Sequence, residues 1–251
     1  MKTLCTLLFL CLTLTGQVLA QEEAEKPKPK KGTRNHFNID LGINNVLQDG
    51  EFPNDNDALY AVKPWGSWYV ALKSVNDTYI SGPLHLKWGP EVNWYNFKFE
   101  NEDVRLAKDN GQVVFSEAND VESQKSKLTA AFLGFSAVPM LQFGDREHNH
   151  KRYCNDWVDL DMHGHDGTFR IGAGGYVGYK MASYTKTVSE VDGDKKKDKD
   201  KGGYYLNSLR YGVRLQMGFK DVDVFFNYDL NPLFAEDRGP ELNAFSFGVV
   251  L

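Results

Sequence analysis

Four of the chain's six histidines, His148, His150, His163 and His165, fall within 18 residues of one another, with Cys154 between them, in the run REHNHKRYCNDWVDLDMHGHDG. In an extended strand, His-x-His places both imidazoles on one face. Two such pairs meeting across a hairpin, with Cys154 or Asp161 nearby, have the ligand types for a four-coordinate Zn²⁺ or Cu²⁺ site. The spacing matches no standard finger, and a solvated turn without metal is the plainer reading. A metal held there is expected to order the segment and to serve no catalytic role.

Other chemistry has weaker carriers. The block DGDKKKDKDK, near residues 192 to 201, has the lysines to attract phosphate or lipopolysaccharide. Mixed charge without apolar residues equally describes a flexible surface loop. No G-x-S-x-G elbow is present. His85 is expected to face inward beside Lys87, and His36 begins the first strand; neither has a nucleophilic serine at a telling spacing. The G-A-G-G run at 172 to 175 lies mid-strand with no helix after it, so it is no dinucleotide fingerprint. No catalytic residue and no cofactor are assigned, the metal idea apart, and the chain is not expected to be an enzyme.

The elements that would position such residues follow from composition and period. The chain has 251 residues, 13% of them aromatic, with 23 glycines and a mean hydropathy of -0.47. That excludes a bundle of membrane helices, which needs apolar spans of about 20 residues. It favours β structure. Residues 1 to 20 combine Lys2, the apolar run Leu4 to Leu14 and the close Val18-Leu19-Ala20, which reads as a cleaved secretory signal peptide. Cys5 and Cys11 leave with it. Cys154 alone cannot close an intramolecular disulfide. With Lys2 gone from 29 basic residues, 28 remain against 34 acidic, a net charge of -6. Nucleic acid is therefore not an expected partner. Residues 21 to 34 (QEEAEKPKPKKGTR) read as a charged periplasmic linker, and 35 to 251 as one domain.

Within that domain the period is two. Phe37, Ile39, Leu41 and Ile43 alternate with Asn38, Asp40, Gly42 and Asn44, the pattern of a half-buried strand. The same pattern recurs at 68–72, 84–94, 169–180, 205–219, 222–230 and 245–251, and less regularly at 126–143. Eight strands are predicted. Long polar connections follow the first, third and fifth, and short ones the second and sixth; this is the rhythm of an up-and-down membrane barrel. The connection from 144 to 167 breaks it.

Alternation leaves open which face is inside. In a soluble, lipocalin-like barrel the apolar face points inward to a ligand; in a membrane barrel it meets lipid. The polar faces are rich in glycine and carry both signs of charge. Asp40, Glu91, Asp223 and Asp229 are placed to neutralise Lys87, Arg170, Lys180, Arg210 and Arg214 in a narrow lumen that side chains must fill. Trp65, Trp68, Trp88, Trp94 and Tyr228 sit near strand ends like interfacial girdles. These features favour the membrane orientation.

The runs PLHLKWGPEVNWYNFKFEN, FRIGAGGYVGYK and YDLNPLFAEDRGPELNAFSFGVVL resemble the bacterial outer-membrane β-barrel domain family, porin-like proteins with an OmpA-type eight-stranded barrel. The resemblance covers about His36 to Leu251. It implies an all-β, closed antiparallel up-and-down transmembrane β-barrel in the Gram-negative outer membrane. It also implies outer-membrane lipid and the barrel-assembly machinery as partners, and a C-terminal insertion signal. That family usually ends on an aromatic residue. Here Leu251 takes that place, so the signal falls on Phe245, Phe247, Val249 and Leu251. The expected role is structural or interactive: envelope integrity, surface contact or small-ligand binding at loops, by a monomer without a wide pore. The alternatives are a periplasmic lipocalin-like barrel holding an apolar ligand, or a barrel enzyme acting on lipid or peptide.

Overall fold

The computed structural model describes residues 32–53, 58–118, 122–143, 169–191 and 194–251. Its strands are β1 (Thr33–Leu47), β2 (Trp68–Ser81), β3 (Leu84–Lys98), β4 (Val104–Asp109), β5 (Gln112–Glu117), β6 (Glu122–Phe143), β7 (Phe169–Val191), β8 (Asp194–Asp200), β9 (Leu209–Phe219), β10 (Val222–Asp229) and β11 (Asn243–Val250). Eight of them close a ring in the order β6-β3-β2-β1-β11-β10-β9-β7, with β7 paired back to β6. Every pairing around the ring is antiparallel. The eight strands anticipated from alternation are these eight, and the closed up-and-down barrel is the observed architecture.

Closure leaves the ring without a free edge. β11 lies between β1 and β10. Its end is locked by reciprocal 2.8 Å hydrogen bonds between the backbones of Ile39 and Leu251. Leu251, Val249 and Phe247 point outward. Phe245 stacks on Phe247 with ring centroids 6.4 Å apart. At one end of the ring, the turns 82–83 and 220–221 are two residues each. Lys220 adopts φ 51°, as a two-residue hairpin turn requires. Phe143 and Phe169 pair at that same end; residues 144–168 lie outside the described residues.

The opposite end departs from the expectation of open polar loops. Residues 58–66, 99–118, 203–206 and 233–242 carry Val62, Phe99, Val104, Leu206, Phe234 and Leu242 into one apolar cluster with Val46, Phe97 and Leu128 of the ring strands. The chain cross-links itself there, as in Val113 N–H to Arg238 O at 2.7 Å and Ala235 N–H to Tyr205 O at 2.8 Å. The apolar residues that build this cap are spaced irregularly among polar ones, so no period revealed them.

Three strands and one boundary also differ from expectation. β4 and β5 form a hairpin of their own on an Asn110-Gly111 turn, with φ 47° and 81°. Asn-Gly between β-formers is the strongest short-range hairpin signal, and it stands in the sequence KDNGQVV. The charged block 194–200, expected as a flexible loop, is strand β8 and pairs with β7 from Thr185↔Asp200 to Val191↔Asp194. β1 begins at Thr33, two residues inside the expected linker. Thr33 lies opposite Thr78, and their hydroxyls meet at 2.9 Å. The rest of that linker and the signal segment lie outside the described residues.

Candidate functional site

Within the ring strands, burial alternates with side-chain direction, and the charged face is the buried one. β9 is the clearest case. Arg210, Gly212, Arg214, Gln216 and Gly218 are inside, while Leu209, Tyr211, Val213, Leu215, Met217 and Phe219 are exposed. Buried lysines and arginines number five (Lys73, Lys87, Arg170, Arg210, Arg214) and buried acids five (Asp40, Asp77, Glu91, Asp223, Asp229) among the described residues. An interior built for an apolar ligand needs open space lined by apolar side chains. Here the inward Phe132, Val138, Met140 and Phe225 pack among these charges and the cavity beside Lys87 has room for about one water, which speaks against the lipocalin-like alternative.

The interior groups form one unbroken chain of contacts. Arg170 meets Asp223 at 2.7 Å, Gln216 donates to Asp223 at 3.0 Å, and Arg214 reaches Gln216 at 3.4 Å. Arg214 pairs with Asp40 at 2.8 Å, Asp40 lies 3.6 Å from Lys73, and Lys73 pairs with Glu91 at 2.7 Å. Asn93 donates to Glu91 at 2.9 Å and accepts from Arg210 at 3.4 Å. Arg210 pairs with Asp229 at 2.7 Å, which also accepts from the Tyr176 hydroxyl. Arg210 is further held over Tyr95, 3.9 Å from the ring centroid, a geometry worth more once water is excluded. Each cation has an anion beside it, as burial demands.

Glycines make this packing possible where a side chain would collide with it. A Cβ on Gly218 would stand 1.7 Å from Asp223 Oδ1 and 2.7 Å from Arg170 Nε; on Gly212 it would stand 2.3 Å from the Tyr176 hydroxyl. The lumen is consequently full. Lys87 Nζ, 3.9 Å from Asp223 Oδ2, borders a cavity of about 20 Å³ shared with Lys73, Ser136, Arg214 and Gln216, which is room for one water.

Of the expected lumen residues, Asp40, Lys87, Glu91, Arg170, Arg210, Arg214, Asp223 and Asp229 all lie inside. Lys180 shares their face, opposite the inward Phe132, but pairs with none of their carboxylates among the described residues. β7 gains a residue where the β6 register shifts between Ala131 and Phe132, and Lys180 sits at that irregularity, half-buried, donating to Leu206 O in the cap. Its charge belongs to the cap junction.

Lys73, Asp77, Tyr69, Tyr95 and Tyr176 are interior residues that sequence reading passed over as site members. For Lys73 the signal was present, since extending the alternation Trp68, Val70, Leu72 by one residue puts it inside. His85 lies inside as expected, its Nδ1 2.9 Å from Asp77 Oδ1, and Asp77 Oδ2 accepts from Gln142 at 3.1 Å. The metal candidates His148, His150, Cys154, His163 and His165 lie outside the described residues. Among the described residues, no group of three metal-ligating side chains gathers.

Comparison with known proteins adds little to this. No family model matches the chain, and no curated protein does. Among solved structures, it is similar to the crystal structure of Ail, the attachment invasion locus protein of Yersinia pestis, at 12% identity. A second structure of Ail, in complex with the heparin analogue sucrose octasulfate, matches at 13% identity. Each match covers 88% of this chain and 99% of the other, with a TM-score of 0.34. The architecture described above rests on this chain's own strand pairing.

Proposed function

We propose that the protein is an integral outer-membrane β-barrel of a Gram-negative cell envelope, exported through a cleaved signal peptide and seated by the barrel-assembly machinery. The single observation that carries this reading is the apolar belt around the ring. Leu41, Leu133, Val213, Leu215, Phe226 and Phe247 are all more than a third exposed. A soluble monomer rarely exposes a contiguous apolar patch beyond a few hundred Å², whereas a bilayer requires such a belt. Trp65 and Trp68, at 77% and 53% exposure, stand near the capped end, where an aromatic girdle is expected.

On this reading the function is structural or interactive. The lumen is filled, so the role falls to envelope integrity, to contacts made by the capped end, or to small ligands held by the capping segments. The reading assigns no catalysis and a monomeric state. Fractionation of expressing cells, with a heat-shift gel on the membrane fraction, tests it. A compact band that survives detergent in the cold and slows on boiling is expected; recovery in the soluble periplasm without detergent would defeat it. His85→Ala is expected to leave any hydrolase or acyltransferase activity of the fraction unchanged.

A further inference from the structure

The block DKKKDKD is mixed in sequence but not in space. As strand β8 it alternates, so Lys195, Lys197 and Lys199 share one face while Asp194, Lys196, Asp198 and Asp200 share the other. The register carries this segregation across the neighbouring strands. Lys199 lies opposite Lys186 of β7, Lys186 opposite Lys127 of β6, and Lys127 opposite Lys98 of β3. Residues directly opposite in antiparallel strands project to the same face, about 5 Å apart. Four lysines therefore stand in one row across four strands.

Their direction is set by their neighbours. Ser126 and Leu128 point inward and are buried, so Lys127 points outward, on the lateral face of the barrel. Lys199 Nζ lies 3.7 Å from the ring centroid of Tyr184, and Tyr184 shares the face of Lys186. Lys127 donates to Asn96 Oδ1 at 3.1 Å. Lys98 has Glu102 at 2.7 Å, but no carboxylate pairs with Lys127, Lys186 or Lys199 among the described residues. Burial, and the positive charge of Lys125, Lys186 and Lys199, push the Lys127 ammonium down from its ordinary range. Like charges in direct cross-strand register are destabilising, and among the described residues only Lys98 has a carboxylate to offset that cost.

The position of the row selects the partner. On the same outer face, toward the belt, come Thr129, Tyr184 and Ala131, and then Leu133 and Tyr179 at the edge of the belt, 52% and 64% exposed. At about 3.3 Å per residue and a tilt near 40°, the row stands about 15 Å beyond Leu133 along the barrel axis. From such a height lysine ammoniums stay in water and meet the headgroup layer, not the hydrocarbon.

We infer that the Lys98, Lys127, Lys186 and Lys199 row is a binding face for the phosphate groups of lipid headgroups in the leaflet that surrounds the capped end. The inference rests on the outer-membrane reading above. Anionic headgroups relieve the repulsion within the row and tie the β6–β7–β8 extension to the membrane surface. Lysines near such a surface are attracted to it, and salt weakens that attraction.

The test uses the full chain folded in mixed micelles and follows the midpoint at which the compact form is lost on heating. Phosphatidylglycerol is expected to raise the midpoint above that in phosphatidylcholine, as a ligand of the folded state does, and added salt to shrink the increment. In K127Q/K186Q/K199Q, phosphatidylglycerol affinity should fall tenfold or more, while the midpoint in phosphatidylcholine rises as repulsion is relieved. K196Q, on the other face of β8, should keep the wild-type increment.

Retention of the full increment by the triple variant, or its equal loss in K196Q, would overturn the inference. If the triple variant does not fold, K186Q alone is expected to lose part of the increment, and an unchanged increment overturns it. An equal rise with millimolar inorganic phosphate would assign the row to free anions and overturn the lipid assignment. Absence of any compact wild-type band in detergent would strike the membrane reading first and this one with it, a result the variant arms cannot produce.

Discussion

Arg170 and Asp223 meet inside the barrel at 2.7 Å with no solvent exposure on either side chain, and they fit because position 218 has no side chain. The pair faces Lys87 and Gln216 as well, so Asp223 balances more than one partner. Removing it should leave Arg170 buried without the carboxylate it meets at 2.7 Å, at a cost of about 3–5 kcal/mol. Asp223→Ala is therefore expected to lower the denaturant midpoint of the folded barrel substantially. Gly218→Ala, which inserts a methyl between two groups that cannot retreat, should cost about 1–3 kcal/mol. A Gly218→Ala midpoint equal to wild type would mean that the ion pair is looser than its geometry.

How far the sequence disclosed all this depends on the period of each segment. The ring was legible because its strands are buried on one side and keep strict alternation for many residues, so that even inward aspartates and arginines could be assigned by parity. Parity holds as far as Lys180, which lies opposite the inward Phe132, and breaks just after it, where an extra residue in β7 shifts the register. It was not extended far enough at Lys73. The cap was illegible for another reason: Phe99, Phe115 and Phe234 pack against one another edge to face from segments with no common period. In β8 the misleading feature was composition. Charge without apolar residues reads as disorder, yet pairing with β7 needs only backbone groups.

The outward direction of the apolar face predicts a cost that water would not impose. Leu215 is half-exposed near the middle of β9, opposite Phe226 and Ala173. Leu215→Arg should destabilise the barrel by about 2–4 kcal/mol in lipid vesicles, while Asp221→Arg, in the two-residue turn at the barrel's end, should change it by a few tenths. Reversible unfolding in vesicles measures both. Equal stabilities for the two variants would mean that the belt does not face lipid.

A continuous network through the lumen predicts closure to solutes. The cavity beside Lys87 holds about one water, and Arg210, Tyr95 and Tyr176 stack across the barrel above it. Vesicles reconstituted with the protein should not swell in arabinose, in contrast to vesicles carrying a barrel of about 16 strands. Sugar-driven swelling at rates scaling with protein content would show that the charged interior opens.

Tyr184 of β7 and Tyr204 of the cap should titrate in opposite directions, because the two faces of β8 beside them carry opposite charge. Tyr184 lies on the lysine face. Its hydrogen bond with Thr129, with Lys127, Lys199 and Lys186 around it, pulls its phenol below the ordinary range. Tyr204 lies against the aspartate face, donating to Asp200 Oδ2 at 2.7 Å. Burial, followed by Asp200, pushes it up to about 12 despite its contact with Thr185.

For Tyr204 the neutral form is the one the fold prefers. Its contribution to stability is therefore whole below the unfolded value near 10 and is lost as pH rises toward about 12. For Tyr184 the sign reverses: ionisation is favoured in the fold, and the gain appears as pH rises through its lowered value. Tyrosinate absorbance against pH, with Tyr184→Phe and Tyr204→Phe as subtractions, separates the two. In the K127Q/K186Q/K199Q background the Tyr184 transition should move upward while that of Tyr204 stays. Movement of both, or of neither, would show that the two faces of β8 are not electrostatically distinct.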